Sequence, residues 1–430
     1  MRIRRTRCSR RWGFSEPGRP AVSTSPLLLT AKDPELLGVA NKSDPMGTLA
    51  IWSARGRDLV PHLTEQTTNV RGFQLLVEAF RLWEVYEPAH PAHAGRLPDF
   101  FLLVEQAFAR IAGYHRKAWT LPGSRRVRAR STEAPHISIT EHSWHLLGGQ
   151  RANGVWGLYR GASQRAGLLE DNLTQLSAKT RAACTARPCL SQSSQRRLFQ
   201  LAEAALDGKT VPLPAHLNGQ LAKELLHSLD ELPLADHLHA HLVASPPLNA
   251  ALANRLPLTG VPQHRPFLLL AAAELTDHAA TLEDVLRCEN LLAPLEAIFL
   301  TLCASRGQSV ADVASSMKLD LAAIEDARAA FADSGIYRGK AARTRQEAFQ
   351  TRLDTRSAEA LARSVLQLHS DVSEQRSRAV WAWEDAGLLR SDVDAGRPTD
   401  DERAVGGAFR NDYYLAPLAA ITQQLAAVRG

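Results

Sequence analysis

The apolar positions of this chain recur mostly at intervals of three and four residues, the period of a helix with one buried face. In NVRGFQLLVEAFRLWEVY the apolar set is Phe73, Leu76, Val77, Phe80, Trp83 and Val85. The segment PDFFLLVEQAFARIAGY repeats the pattern, with Asp99 placed to cap a helix and Gly113 placed to end it. Ala and Leu dominate the apolar residues and both favour helix. The sequence therefore predicts a mainly α, multi-domain helical protein.

Changes in composition divide the chain into regions. A stretch with six glycines between Gly148 and Gly167 predicts a small irregular or β segment near 125–160. The sequence TRAACTARPCLSQSSQ, near 180–195, predicts a linker or an exposed connection. The predicted regions are 1–45, a disordered basic arm or a wrongly assigned start; 46–180, an N-terminal α(+β) domain; 196–287, a helical middle; 288–345, a winged-helix-like module; and 346–430, a C-terminal helical region.

The formal charge of +6 comes from the beginning of the chain. The first 20 residues hold seven arginines and one acid, and the rest of the chain carries equal numbers of basic and acidic residues. Global charge is thus no argument for a nucleic-acid partner. Three interpretations fit this basic N-terminal segment: a disordered arm, a targeting peptide, or upstream sequence translated from a wrongly assigned start. In the last case the alternative start is Met46.

Cysteines and apolar runs bear on the compartment. Five cysteines are an odd number, and no secretory signal precedes them, so we expect a reduced, cytoplasmic protein. The longest apolar runs, such as PFLLLAAAEL, are too short to cross a bilayer. We therefore expect no contact with a membrane.

Residues 288–345 have the order of a winged helix-turn-helix: a long helix, a short helix capped by Ser309, a turn, a third helix ending near Gly335, and then β-prone residues. The third helix offers acids where a recognition helix offers basic or amide groups. DNA binding and protein packing both remain open for this module. Beyond it, the basic residues that fit phosphate contacts are Arg338, Lys340 and Arg343.

A second basic stretch follows the helix that ends near Gly113. If residues 126–130 form a strand, alternate arginines point the same way and make a row of charge. Aromatic residues beside arginines suit nucleic-acid contact, but charge also protects an exposed strand edge. The candidate nucleic-acid-binding residues here are Arg116, Lys117, Arg125, Arg126, Arg128 and Arg130.

Histidines provide the strongest hint of a metal site. In DHLHAHL the rings recur at every second position, as ligands on a strand would. Flanking prolines and leucines at positions 234, 238 and 242 indicate a helix instead. There only His237 and His241 are adjacent, and they lack a third ligand unless His227 supplies it. We predict no metal and no cofactor, because nucleotide-loop and hydrolase motifs are also missing.

Four segments carry a resemblance: SARGRDL at 53–59, LTEQTTNVRGF at 63–73 with the helix after it, WGLYRG at 156–161 and LLAPLEAIFLTL at 291–302. In them the chain resembles a family of uncharacterised bacterial proteins that tend to be encoded near phage-defence or DNA-processing genes. These segments cover about a third of the chain and include no catalytic motif. The resemblance implies a genomic setting rather than an activity.

Three functional hypotheses follow. The first is a non-enzymatic subunit of a DNA-associated, anti-phage complex that acts through protein partners and non-specific DNA contacts. The second is a metal-dependent hydrolase that uses His237 and His241, and the third is a winged-helix transcriptional regulator. We favour the first, since the basic stretches outweigh the evidence for a catalytic centre.

Overall fold

The computed structural model describes residues 44–115, 119–131, 133–213, 217–257, 259–334 and 339–429. The chain is mainly helical, as predicted, and the described residues contain two small two-stranded sheets. The basic arm or wrong start expected at 1–45 lies, but for its last two residues, outside the described residues. Residues 46–430 form one compact unit. The finer region boundaries stay predictions.

The first part of this unit contains the two helices that the apolar pattern predicted most strongly. Its helices are α1 (Leu49–Leu59), α2 (Val70–Ala89), α3 (Leu97–Tyr114), α4 (Ser124–Ala129), α5 (Gln150–Asn153) and α6 (Val155–Arg165). The side chain of Asn69 caps α2 by accepting from the amide of Arg71 at 3.0 Å. Asp99 does not cap α3, because Arg96 occupies the N-cap position and Asp99 lies in the first turn.

The region 125–160 was predicted to be a small irregular or β segment, and this is only partly correct. Between residues 130 and 149 the described chain is mostly irregular and contains one short strand, β1 (His136–Ile137), which pairs antiparallel with β2 (Val211–Pro212). The two ends of the region are helical instead, as α4 and as α5 followed by α6. Single 3₁₀ turns lie at Pro91–His93, His142–Trp144 and Thr276–His278. The predicted helix near 155–167 is confirmed as α6.

The middle of the chain is a succession of helices. They are α7 (Ala178–Ala186), α8 (Gln192–Leu206), α9 (Gln220–Glu231), α10 (Ala235–Leu242), α11 (Pro247–Ala253) and α12 (His264–Glu274). Of the two alternatives predicted for 180–195, the linker is wrong, because most of the segment lies in α7 and the start of α8, with Cys184 and Cys189 buried. Residues 185–188 and 191–193 are exposed, as the other alternative, an exposed connection, expected. Burial of two thiols ties this segment to the core.

The last part carries α13 (Ala279–Ala304), α14 (Val310–Ser316), α15 (Leu321–Ala332), α16 (Lys340–Thr351), α17 (Ala358–Gln375), β3 (Ala382–Asp385), β4 (Leu388–Ser391), α18 (Asp400–Arg403) and α19 (Leu415–Arg429). Ser309 caps α14, as predicted, by accepting from the amide of Asp312 at 3.1 Å. The β-prone segment expected after the third helix is instead α16 from Lys340 onward. Residues 335–338 lie outside the described residues.

A β-hairpin occupies the position where the sequence suggested only helix. β3 pairs with β4 across a turn in which Ala386 and Gly387 both have positive φ, the geometry that matches the twist of two strands. The outer side of β4 exchanges hydrogen bonds with the connection between α13 and α14. The Leu389 amide donates to the Gln308 carbonyl at 2.8 Å, and the Gly307 amide donates to the Leu389 carbonyl at 2.9 Å.

One continuous set of buried side chains runs from Met46 to Leu425. Within it, α13 presents the fully buried carboxylate of Glu289 to the segment just before α19. The Tyr413 hydroxyl donates to that carboxylate at 2.7 Å, the Asn411 side-chain amide donates at 3.0 Å, and the backbone amides of Arg410 and Asn411 donate at 2.6 and 3.0 Å. Burial still raises the pKa of Glu289. Four donors thus fix the C-terminal segment to the centre of the fold.

Candidate nucleic-acid interface

The arginine stretch is helical as far as Ala129, with Arg130 as the C-cap, so the strand considered for residues 126–130 does not form. Helix α4 starts after Gly123, whose φ is +91°, and buries only Val127. A Cβ at Gly113 would come within 2.6 Å of a Val127 methyl, so the glycine lets α4 lie directly on α3. The helix therefore turns Arg125, Arg126 and Arg128 outward around an arc, where a strand would have put alternate arginines in one row.

Two arginine side chains pack against the ring of Trp144. The Arg130 guanidinium lies 4.8 Å from the centre of the Trp144 ring, and the Arg110 guanidinium lies 5.6 Å from it. Arg110 also donates to the Trp144 carbonyl at 2.8 Å, and Arg126 donates to the His145 carbonyl at 3.2 Å. The residues Arg110, Arg125, Arg126, Arg128, Arg130 and Trp144 are called the arginine surface below.

Arg110 forms no direct ion pair within the described part of the chain. It projects from α3, is 2% exposed, and has no carboxylate oxygen within 4.0 Å among the residues described here. Burial, together with the charges of Arg130 and Arg126, lowers the pKa of Arg110 to about 10, although Glu133 acts in the opposite direction. At neutral pH the guanidinium stays protonated. Arg130 has Glu133 at 3.8 Å, whereas Arg126 and Arg128 have no carboxylate oxygen within 4.0 Å among the described residues, so these positions keep an excess of positive charge.

The other predicted basic residues are not part of this surface. Arg116, Lys117 and Arg338 lie outside the described residues. Lys340 and Arg343 are exposed one turn apart on α16, which packs on α1 and α15, whereas α4 packs on α3. The two basic stretches that the sequence suggested thus belong to different elements.

The histidines of DHLHAHL lie on a helix, as predicted. α10 buries Leu234, Leu238 and Leu242 as one stripe. The rings of His237 and His241 are 4.4 Å apart, centre to centre. Each ring already has a hydrogen-bond partner: the Thr180 hydroxyl at 3.0 Å for His237 and the Ala166 carbonyl at 2.7 Å for His241.

Burial, together with the charge that His241 would carry, lowers the pKa of His237 to about 4. Within the described ranges no three His, Cys, Asp or Glu side chains are grouped so that they could hold a metal ion. His227 does not join the pair. His237 is therefore a packed, neutral group at pH 7.

Arg110 and Trp144 are the residues of the arginine surface that the sequence analysis did not identify. The sequence does indicate Arg110, because an arginine inside the apolar run FFLLVEQAFARIAGY is expected to be buried, and arginine is rarely buried unless it is paired. Trp144 had no signal, because its contact with Arg110 depends on how the loop after β1 folds back on α3.

Comparison with known proteins identifies no relative: no family model, no curated protein and no solved structure matches this chain. Of the helices in the described residues, none combines the length and apolar character required to span a membrane.

Proposed function

We propose that this protein is a non-enzymatic subunit of a bacterial DNA-associated, anti-phage complex, and that its arginine surface contacts the phosphate backbone of nucleic acid. The observation that carries the proposal is Arg110, a buried guanidinium without a carboxylate, beside a helix that exposes three more arginines. A buried charge is costly unless it is compensated. A phosphate over this surface would supply the missing negative charge.

The geometry favours contact with phosphates over the reading of bases. Four of the arginines lie within or next to a helix of six residues, too short to follow a groove with several base contacts. Arginines are suited to bidentate phosphate contacts. Binding is therefore non-specific in sequence and strongly dependent on salt.

We also propose that residues 279–391 contain a winged-helix module used for packing or partner binding. The support is the pairing of β4 with Gly307 and Gln308, because in a winged helix the wing pairs with the short connection after the first helix. In this arrangement α13 and α14 are the first two helices, α17 precedes the wing, and α15 and α16 are inserted.

The test of the DNA contact is the affinity of the full chain for a 30-base-pair duplex across a salt series. In the R126A/R130A variant we expect weaker binding and a salt slope that is smaller by about two, since each phosphate contact contributes about 0.9. The matched control is R255A/R287A, which removes the same charge from arginines already paired with carboxylates at 2.9 and 3.1 Å. Equal effects of the two variants, or wild-type binding without a salt slope, would refute the proposal.

A further inference from the structure

An open groove of about 1160 Å³ lies away from helix α4. It runs between α2 and α6 on one side and α7 and the start of α8 on the other. Nothing in the arginine surface lines it. Its volume exceeds the range of about 300–1000 Å³ that is usual for small-molecule sites, so an extended ligand fits it better.

The floor of the groove is apolar and rigid. Trp156 stacks on Phe80 with 5.7 Å between ring centres, and Trp83 is 4% exposed. Cys184 also lines the floor, and burial raises the pKa of its thiol to about 12, so it remains protonated and unreactive. This surface can accept apolar side chains, but it offers no nucleophile.

Two of the three arginines in the groove are already neutralised. Arg81 holds the buried Glu78 through two hydrogen bonds, at 2.6 and 3.0 Å. Arg181 holds Glu84 through two more, at 2.8 and 2.9 Å. These pairs form walls with little net charge.

Arg160 differs from both. Its guanidinium lies 4.5 Å from the centre of the Trp156 ring, one helical turn earlier on α6. In the part of the chain that the structure describes, no carboxylate oxygen lies within ion-pair distance of it. The indole thus holds an uncompensated, partly exposed guanidinium over the groove, ready to accept a carboxylate.

The rim indicates which kind of ligand carries that carboxylate. It is exposed and rich in amide and hydroxyl groups, from Thr174, Gln175, Thr185 and Gln192. Such groups can bond the peptide groups of an extended chain. The carboxylate of Glu87, which also lines the groove, would repel a polyphosphate backbone. A peptide with an acidic side chain fits these features, and a nucleic acid does not.

We infer that this groove binds an extended segment of a partner protein, with an Asp or Glu side chain paired to Arg160 and an apolar side chain on the floor formed by Trp83 and Trp156. The inference rests on the proposed role as a complex subunit for the origin of that segment. It does not depend on DNA binding by the arginine surface.

The probe is a random 12-residue peptide library displayed on phage and selected on the full-length protein. We expect the enriched peptides to share an acidic residue close to an apolar one. As synthetic peptides they should bind R160A about tenfold more weakly than wild type, with partial recovery in R160K. T185W should also weaken binding, because it fills the groove from an exposed rim position. The control R287A should bind like wild type.

Enriched peptides that bind wild type, R160A and T185W equally would overturn the inference, and so would a selection that enriches nothing. Thermal melts of each variant show whether it has folded. The affinity for DNA is measured on the same proteins. If R160A and T185W bind DNA like wild type and R126A/R130A does not, the two sites are independent, and a failure of the peptide-binding inference can be distinguished from a failure of the proposed DNA contact.

Discussion

Glu105 should make the stability of the protein depend on pH in a direction that is unusual for a carboxylate. The side chain is fully buried on α3; it accepts from the Gln150 side chain at 2.6 Å and from the Val155 amide at 2.9 Å. Burial raises its pKa from 4.5 to about 7, although both hydrogen bonds act in the opposite direction. The folded state therefore holds a proton that the unfolded state releases between pH 4.5 and 7.

The sign and size follow from this difference. Because the folded pKa is the higher one, the stabilisation is complete below about pH 4.5 and is lost as pH rises through 7. Between pH 5 and pH 8 the loss is about 2.5 kcal/mol for this group alone. Replacing Glu105 by Gln removes the titration and keeps an acceptor for the Val155 amide. The substitution also lowers the free energy of unfolding by an amount that does not depend on pH, because the amide NH₂ group of the new glutamine faces the NH₂ group of Gln150.

The assay is urea unfolding of wild type and E105Q at several pH values from 5 to 8. We expect the free energy of unfolding of wild type, relative to the variant, to fall by about 2.5 kcal/mol over this range. The buried histidines titrate in both proteins, so the difference isolates residue 105. A difference that stays constant with pH, or grows as pH rises, would show that the reasoning about Glu105 is wrong.

Two further predictions concern packing. Gly113→Ala should lower the free energy of unfolding by about 1–3 kcal/mol, because the new methyl group overlaps Val127. Gly161→Ala should be neutral or slightly stabilising, because the nearest atom to the new methyl group is a guanidinium nitrogen at 3.5 Å. Equal losses of unfolding free energy in the two variants would contradict this prediction. Glu289→Ala should cost at least about 3 kcal/mol by leaving four donors without an acceptor, whereas Tyr413→Phe removes one donor and should cost about 1 kcal/mol. Urea unfolding measures all four variants, and equal costs for the last two would refute the role assigned to Glu289.

The helices were predictable because their signal is local. The long helices α2 and α3, the helix of DHLHAHL and the Ser309 cap all depend on spacings within a few residues, and they were predicted correctly. Residues 126–130 were predicted wrongly because alternate arginines fit a strand, while the docking of Val127 on Gly113 selects a helix. No pattern among neighbouring residues in the sequence indicates the contact between Val127 and Gly113.

The candidate sites depend on residues that are far apart in the chain. Arg110 meets Trp144 across 34 residues, and β4 meets Gln308 across about 80. The groove around Arg160 is formed by four helices whose arrangement the sequence pattern does not specify. The sequence could suggest a basic surface, but it could not select which arginines lack a counter-charge.

The four donors around Glu289 also constrain how the protein is made. A nascent chain forms α13 long before Tyr413 has left the ribosome, so during that interval the carboxylate has no route to its final partners. Helix α19 is needed as well, because Gln424 bonds the amide of Val70 and the carbonyl of Thr68 at the start of α2. A chain that ends before residue 410 therefore lacks all four donors, and Glu289 must then stay hydrated or be buried without a partner from this segment.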